Sequence, residues 1–193
     1  LECRAWSAAR MDYPITQAYG GHYYSPEQAL WIDALRATLP RNEPNRTIAL
    51  AALIQVASQC ATAPGHTAQP LQPTKTAKPF FDEIWSWDIP SRVGSAFKAL
   101  STQHAQRVGE AYVADANDVA NELREGDLVF IDPPYSAVHY SRFYHVLETI
   151  AVGEPVEVSG IGRYPAIEFR PTSQYSLLTK AGVALDDLLG KVA

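Results

Sequence analysis

The stretch Asp127-Leu128-Val129-Phe130-Ile131-Asp132-Pro133-Pro134-Tyr135 contains the signal that decides the fold. The apolar run from Leu128 to Ile131 follows a turn signal and predicts a short strand that is buried on both faces. Pro134 lacks an amide hydrogen and biases Pro133 towards an extended conformation, so the strand must end there. The sequence therefore predicts a carboxylate, a fixed carbonyl oxygen and an aromatic ring at the carboxyl end of a strand, where open α/β sheets bind ligands.

These three groups suit the recognition of an amine on a flat ring. The Asp132 carboxylate and the Pro133 carbonyl are two neighbouring acceptors that can hold both hydrogens of one NH2 group. Tyr135 can stack on the ring that carries the amine, which is worth roughly 1–3 kcal/mol per base. Adenine presents such an amine once it has been flipped out of a duplex. A simple strand-ending turn is the structural alternative for Asp-Pro-Pro.

Asp132 to Tyr135 resemble motif IV of the amino-methyltransferases, in the form that is typical of the DNA adenine methylases. The continuation from Ser136 to Glu148 and the segment from Gly20 to Leu35 also resemble that family. The resemblance implies that Asp132, Pro133, Pro134 and Tyr135 are the catalytic residues. It also implies S-adenosylmethionine as the cofactor and DNA as the substrate.

The residues before the motif predict the fold class. A strand at 111–114, a short helix at 117–124 and the strand at 128–131 form a right-handed βαβ unit with parallel strands. Together with the resemblance, this predicts an α/β protein with a partial Rossmann-like methyltransferase fold, helix-rich, in which helices flank parallel strands. Asp115 and Asp132 then lie at the same sheet edge, and the resemblance implies that both contact the cofactor. An N-cap of the short helix is an alternative role for Asp115.

Local signals also predict several helices. Ser25, Pro26 and Gln28 form a capping-box start for a helix that ends near Pro40. A second helix is predicted from Asn45 or Thr47 to about Ala61. Another runs from about His139 to Ala151, and its polar stripe predicts that His145 pairs with Glu148.

Four side chains are candidate DNA contacts. Arg142 is our choice for a phosphate contact, and Tyr140 precedes it on the same segment. Lys75 and Lys78 lie in the long loop at 62–79, which is either a functional lid or a disordered segment. If this loop is a lid, both lysines can reach phosphates.

The overall charge gives little support to a nucleic-acid partner. The net charge is −5 and the isoelectric point is about 5.5, so the broad basic surface of a nucleic-acid binder is missing. An enzyme needs only a local basic groove, and Arg142, Arg163 and Arg170 are the candidate charges.

Composition bounds the remaining properties. The 193 residues, of which 47% are hydrophobic, suit a single α/β methyltransferase-like domain over 1–193. Cys3 and Cys60 lack metal-ligand spacing, so we expect reduced thiols, no metal site and a cytoplasmic protein. Neither a membrane-spanning run nor a signal peptide is evident.

One expected part of such an enzyme is missing. The sequence lacks a glycine-rich turn that opens a helix, because its one G-x-G, Gly160-Ile161-Gly162, is followed by Arg163-Tyr164-Pro165. The chain also stops near Ala193, before the next apolar strand that the resembling family has. We therefore expect an incomplete domain whose partner is the missing part of the methyltransferase or a second subunit.

The leading functional hypothesis is a site-specific DNA adenine-N6 methyltransferase of a restriction-modification system. Methylation of RNA adenine, of the cytosine amine or of a glutamine amide stays open, although Asp at position 132 favours adenine. The alternative from another class is a non-catalytic DNA-recognition or scaffolding module.

Overall fold

The computed structural model describes residues 2–103, 105–133 and 138–192. Their contacts divide the chain into two compact units. The first unit comprises residues 1–104 and 142–170, and the second comprises residues 105–141 and 171–193. The first unit is therefore built from two separate stretches of sequence.

Helices dominate the described residues. Short 3-10 turns lie at Ala120–Glu122, Ile167–Phe169 and Gln174–Ser176. In chain order the regular elements are α1 (Glu2–Ala8), α2 (Pro14–Tyr19), α3 (Pro26–Ala37), α4 (Asn45–Cys60), α5 (Lys78–Trp85), α6 (Ile89–Ser101), α7 (Ala116–Val119), α8 (Ser141–Val152), β1 (Val158–Ser159), β2 (Tyr164–Pro165) and α9 (Ala181–Val192). None of the described helices is long and apolar enough to cross a membrane.

The start of α3 confirms the predicted capping box. The Ser25 hydroxyl accepts from the Gln28 amide at 3.1 Å, and the Gln28 side chain accepts from the Ser25 amide at 3.1 Å. Pro26 takes the first turn, where its missing amide hydrogen is not needed. The Gln28 side chain also donates to the Ile84 carbonyl at 2.7 Å, so one residue caps α3 and ties it to α5.

The core of the first unit combines aliphatic and tyrosine side chains from helices that are distant in sequence. Each large side chain that is fully buried contributes about 1.5–3 kcal/mol. The largest buried side chains of this core are Ile15, Tyr19, Tyr23, Tyr24, Ile32, Leu53, Val56, Ile89, Val146 and Ile150.

The short helix α2 is capped by a residue of α3. The buried Asp33 carboxylate accepts from the amides of Ile15 at 2.9 Å and Thr16 at 2.8 Å, and from the Thr16 hydroxyl at 2.7 Å. These bonds satisfy helix-end donors that would otherwise be buried without a partner. Burial raises the pKa of Asp33, and the three donors oppose that rise.

The carboxyl end of α8 is held by another side chain of α3. The Arg36 guanidinium donates to the carbonyls of Ile150, Ala151 and Val152 at 2.8–2.9 Å. Gly153 follows with φ +75°, and its backbone lies against the same guanidinium. The positive charge also suits this end of the helix dipole.

The predicted parallel strands at 111–114 and 128–131 are not confirmed. Within the described residues, the sheet is the antiparallel pair β1–β2, with Ser159 opposite Tyr164. The expected burial of the second strand is wrong, because Leu128 is 99% and Phe130 is 90% exposed. A strand needs a neighbouring backbone to accept its hydrogen bonds, and the described part of the second unit offers none.

The second unit is organised around Asn117 of α7. Its side-chain amide donates to the Ala184 carbonyl at 2.9 Å and to the Asp187 carboxylate at 2.6 Å. Its backbone carbonyl accepts from Lys191 at 2.9 Å, and Lys191 pairs with Asp187 at 3.0 Å. This network joins α7 to α9.

Candidate functional site

The acceptor pair that the sequence predicts is accessible to solvent. Asp132 is exposed and Pro133 is half-buried, and both belong to the second unit. Pro134 and Tyr135 lie outside the described residues. Because solvent reaches the Asp132 carboxylate, burial does not block the approach of a flipped base to this group.

Asp115 has the local role that was the alternative to cofactor binding. Its carboxylate accepts from the Asn117 amide at 2.9 Å and caps α7, which confirms the N-cap prediction. The side chain is exposed. Cofactor binding by Asp115 and Asp132 stays a prediction.

The described residues do not by themselves fit the cofactor that the resemblance implies. Gly160-Ile161-Gly162 lies in the turn between β1 and β2, so it does not open a helix. Gly162 packs against the Tyr164 ring, and a side chain at position 162 would overlap that ring. The Tyr164 ring of the same hairpin therefore fills the space beside this turn. In the described part of the chain, no cluster of three His, Cys, Asp or Glu side chains is suited to a metal ion.

The loop at 62–79 is ordered by specific bonds in its first half. The Thr67 amide and hydroxyl both donate to the Phe143 carbonyl in α8, at 2.9 and 2.7 Å. The Tyr23 hydroxyl donates to the Thr67 carbonyl at 2.7 Å. The Leu71 amide donates back to the Thr62 carbonyl at 2.8 Å. These bonds fasten residues 62–71 to the core of the first unit.

Both candidate lysines of this loop are exposed. Lys75 lies in a turn, and Lys78 is the first residue of α5. The Lys78 ammonium pairs with Asp82 at 2.5 Å across one helical turn. An exposed pair of this spacing contributes only about 0.3–0.5 kcal/mol, so a phosphate can replace the carboxylate at little cost.

Tyr140 and Arg142 flank the start of α8, and both are exposed. Arg142 belongs to the first unit, and its Nε donates to the Tyr164 hydroxyl at 2.8 Å. Its guanidinium carbon lies 5.2 Å from the centre of the Tyr164 ring. The guanidinium carbon of Arg170 lies at the same distance from that ring. The structure therefore brings together two of the three arginines that the sequence singled out.

His145 is buried beneath this cluster, which the sequence did not predict. Its Nε2 lies 3.0 Å from the Gly162 carbonyl and its Nδ1 lies 3.2 Å from the Arg142 carbonyl. Burial lowers the pKa of His145 to about 4, so the ring is neutral near pH 7 and has one N–H. We assign that hydrogen to Nε2, which has the shorter contact. The predicted pairing with Glu148 is wrong, since Glu148 is exposed.

Two buried tyrosines, Tyr19 and Tyr23, lie beside His145. The Tyr19 and Tyr23 rings lie 5.8 and 6.0 Å from the imidazole, edge to face. The Tyr19 hydroxyl bonds with the Thr149 hydroxyl at 2.9 Å. Burial raises the pKa of Tyr19 to about 12, so the phenol stays neutral. No local pattern indicates this cluster, because its members are separated by up to 130 positions along the chain.

Arg163 turns away from Tyr164 towards α2. Its guanidinium donates to the Ala18 carbonyl at 2.8 Å, and its backbone is left-handed with φ +52°. Arg4 donates to the neighbouring Gly21 carbonyl at 2.9 Å. Burial, followed by the charges of Arg4 and Arg163, lowers the pKa of His22 to about 4. The role of Arg163 is therefore to hold the hairpin turn against α2.

Comparison with known proteins finds similarity to one family of methyltransferases over part of the chain. Residues 95–171 match the model of the D12 class N6 adenine-specific DNA methyltransferases, and this range includes Asp132 to Tyr135. No solved structure matches the chain significantly.

Three similar curated proteins are methyltransferases. The type II methyltransferase M.FokI of Planomicrobium okeanokoites is 28% identical over 177 residues, which are 88% of this chain and 25% of that protein. The modification methylase LlaI of Lactococcus lactis subsp. lactis is 39% identical over 79 residues, 40% of this chain and 12% of that protein. The modification methylase StsI of Streptococcus sanguinis is 32% identical over 107 residues, 55% of this chain and 16% of that protein. The chain spans a quarter or less of the length of these relatives.

Proposed function

We propose that this protein transfers a methyl group from S-adenosylmethionine to the exocyclic amine of adenine in DNA. The observation that carries the proposal is the match to the adenine-specific family over residues 95–171, which contain the acceptor motif. The exposed carboxylate of Asp132 supports it, since a flipped base needs access to that group. The similarity to M.FokI, LlaI and StsI favours a role in restriction-modification.

In this proposal the chain acts on the amine. Asp132 and the Pro133 carbonyl accept its two hydrogens, which turns the nitrogen lone pair out of conjugation with the ring. S-adenosylmethionine supplies an electrophilic methyl group when it is bound. The new N–C bond would form as the S–CH3 bond of the sulfonium breaks, with S-adenosylhomocysteine as the leaving group, and one hydrogen of the amine would then leave as a proton. Because Asp132 is exposed, water is available to take that proton.

Base flipping must be offset by binding energy. Extrusion of a base costs a few kcal/mol. We assign part of the compensation to stacking on Tyr135, which is worth roughly 1–3 kcal/mol. We assign the rest to contacts of Tyr140, Arg142, Lys75 and Lys78 with the DNA backbone.

Binding of the cofactor requires a glycine-rich turn in addition to the described residues. The described residues lack a glycine-rich turn, so we propose that another segment of the protein or a second subunit provides it. Asp115 and Asp132 then contact the cofactor from this chain. We also propose a cytoplasmic location, in keeping with the reduced cysteines that the sequence predicts.

A labelled-methyl assay tests the activity. The purified protein is incubated with duplex DNA and S-adenosylmethionine that carries a labelled methyl group, and the DNA is digested to nucleosides. We expect label in N6-methyl-2′-deoxyadenosine for the wild type and none for Asp132→Ala, with DNA affinity nearly unchanged. Asp118→Ala, which removes another exposed carboxylate of the second unit, is the control and keeps full activity. Label only in cytosine or in protein rejects the proposal.

The non-catalytic module is the second candidate. The missing glycine-rich turn in the described residues favours it, while the Asp-Pro-Pro-Tyr sequence favours the enzyme. Titration calorimetry with S-adenosylmethionine separates the two functions. Saturable heat that depends on Asp132 supports the enzyme. DNA binding without cofactor binding, together with no methyl transfer, supports the module.

A further inference from the structure

Two arginine side chains contact the Tyr164 ring, and one hydrogen bond of each Nε orients its guanidinium. The Nε of Arg142 donates to the Tyr164 hydroxyl at 2.8 Å, and the Nε of Arg170 donates to the Pro165 carbonyl at 2.7 Å. Both guanidinium carbons lie 5.2 Å from the ring centre. Among the described residues, the terminal Nη groups of both arginines have no hydrogen-bond acceptor. Two sets of strong donors therefore remain available to a ligand.

The two positive charges have no counter-ion in the part of the chain that the structure describes. The two salt bridges found there join Lys78 to Asp82 and Lys191 to Asp187. Because both guanidinium groups contact one ring, they lie no farther apart than about one Debye length, which is ~10 Å at 0.1 M salt. Their repulsion is thus incompletely screened, and an anion between or beside them would relieve it.

The Tyr164 ring, which both arginines contact, is held in place by its other neighbours. The Tyr164 hydroxyl donates to the Ala68 carbonyl in the loop at 62–79. One side of the ring contacts the buried His145, with ring centres 5.0 Å apart, and Gly162 fits closely against it. Binding a ligand here does not require the ring to be ordered first, which lowers the entropy cost.

We propose that Arg142, Tyr164 and Arg170 form a binding site for the phosphodiester backbone of DNA. The inference rests on the proposed function, which makes DNA the substrate. A guanidinium presents two parallel N–H groups that match the geometry of phosphate oxygens. Two such groups beside one ring offer donors to more than one phosphate oxygen of a strand. Since contacts to phosphates carry no direct sequence information, we expect the site to contribute affinity without sequence preference.

The salt dependence of DNA affinity tests this site. Affinity for a duplex is measured by fluorescence anisotropy between 50 and 200 mM salt for the wild type, Arg142→Gln, Arg170→Gln and the double variant. Each lost phosphate contact should reduce the slope of log K against log [salt] by about 0.9, and the double variant by about twice as much. Affinity should fall by a similar factor for different DNA sequences. Arg41→Gln, which removes an exposed charge elsewhere in the first unit, keeps the wild-type slope.

The outcomes separate this site from the proposed activity. If the arginine variants keep the wild-type slope while the wild type methylates adenine, the site is overturned and the activity stands. If the slope falls in the variants but the wild type transfers no methyl group, the site stands and the activity fails. Circular dichroism verifies folding. Should Arg170→Gln unfold, Arg142→Gln decides alone, because Arg142 is exposed.

Discussion

The neutral, buried ring of His145 makes the stability of the protein depend on pH. Burial lowers the pKa of His145 to about 4 in the folded protein, whereas an unfolded histidine titrates near 6.5. Since the folded state resists protonation, the stabilising effect is complete above pH 6.5 and is lost as the pH falls towards 4. Linkage over this window gives a loss of about 2 kcal/mol between pH 7 and pH 5.

Replacement of this histidine removes that contribution. In His145→Gln, the side-chain amide can donate to the Gly162 carbonyl but does not titrate. We expect the variant to be less stable than the wild type at pH 7, and the difference to shrink by about 2 kcal/mol at pH 5. Urea denaturation at each pH provides the measurement. His66→Gln, which makes the same replacement at an exposed ring, is the control. Parallel losses of stability in the wild type and His145→Gln would refute a neutral buried ring.

Four further substitutions test the packing of the first unit. Asp33→Ala leaves the buried donors at the start of α2 without an acceptor. We expect it to reduce the free energy of unfolding, measured by urea denaturation, by about 2–4 kcal/mol. A loss below about 1 kcal/mol would contradict the capping role. Arg36→Met removes three bonds to the end of α8, where water can reach the carbonyls, so a smaller loss of about 1–2 kcal/mol is expected from thermal unfolding, and an unchanged Tm argues against that clamp. Gly20→Ala would bring its Cβ to 2.5 Å from the Ser7 hydroxyl and should destabilise the folded protein by about 1–3 kcal/mol. In Gly94→Ala, the new Cβ points into open space within α6, so this change should stabilise the folded protein by about 0.5–1 kcal/mol. Equal effects of the two alanines on the denaturation midpoint would show that contact at position 20 is not the cause.

Features that depend on neighbouring residues could be predicted from the sequence. The capping box of Ser25 and Gln28 and the N-cap of Asp115 each join groups two or three positions apart. The start of α4 at Asn45 follows in the same way from its local apolar pattern. These elements therefore appear where the sequence predicts them.

Features that depend on distant residues could not be predicted in this way. The spacing along α8 favoured Glu148 as the partner of His145, but Gly162, which is 17 positions away, accepts its bond. Asp33 caps a helix that lies 17 to 18 positions earlier in the chain. The apolar run at 128–131 has the composition of a strand, yet a strand also needs a partner, which the local sequence does not specify.

The candidate site shows the same division. The acceptor role of Asp132 and the phosphate role of Arg142 were proposed from the sequence, and both side chains are exposed. The stacking of Arg142 and Arg170 on Tyr164 involves three segments that only the folded hairpin brings together. The pattern of charges along the sequence indicates the two arginines, but it does not indicate that both of them contact Tyr164.

The core of the first unit is complete only when α8 packs against the helices that precede residue 104. Arg36 grips one end of α8, Thr67 bonds near the other, and Tyr19 meets Thr149 between them. A protease that nicks the intervening polypeptide would therefore leave two pieces that migrate together under native conditions. A product truncated before Arg142 would instead lack α8. The tyrosines that pack against this helix would then be exposed to water and to other protein molecules.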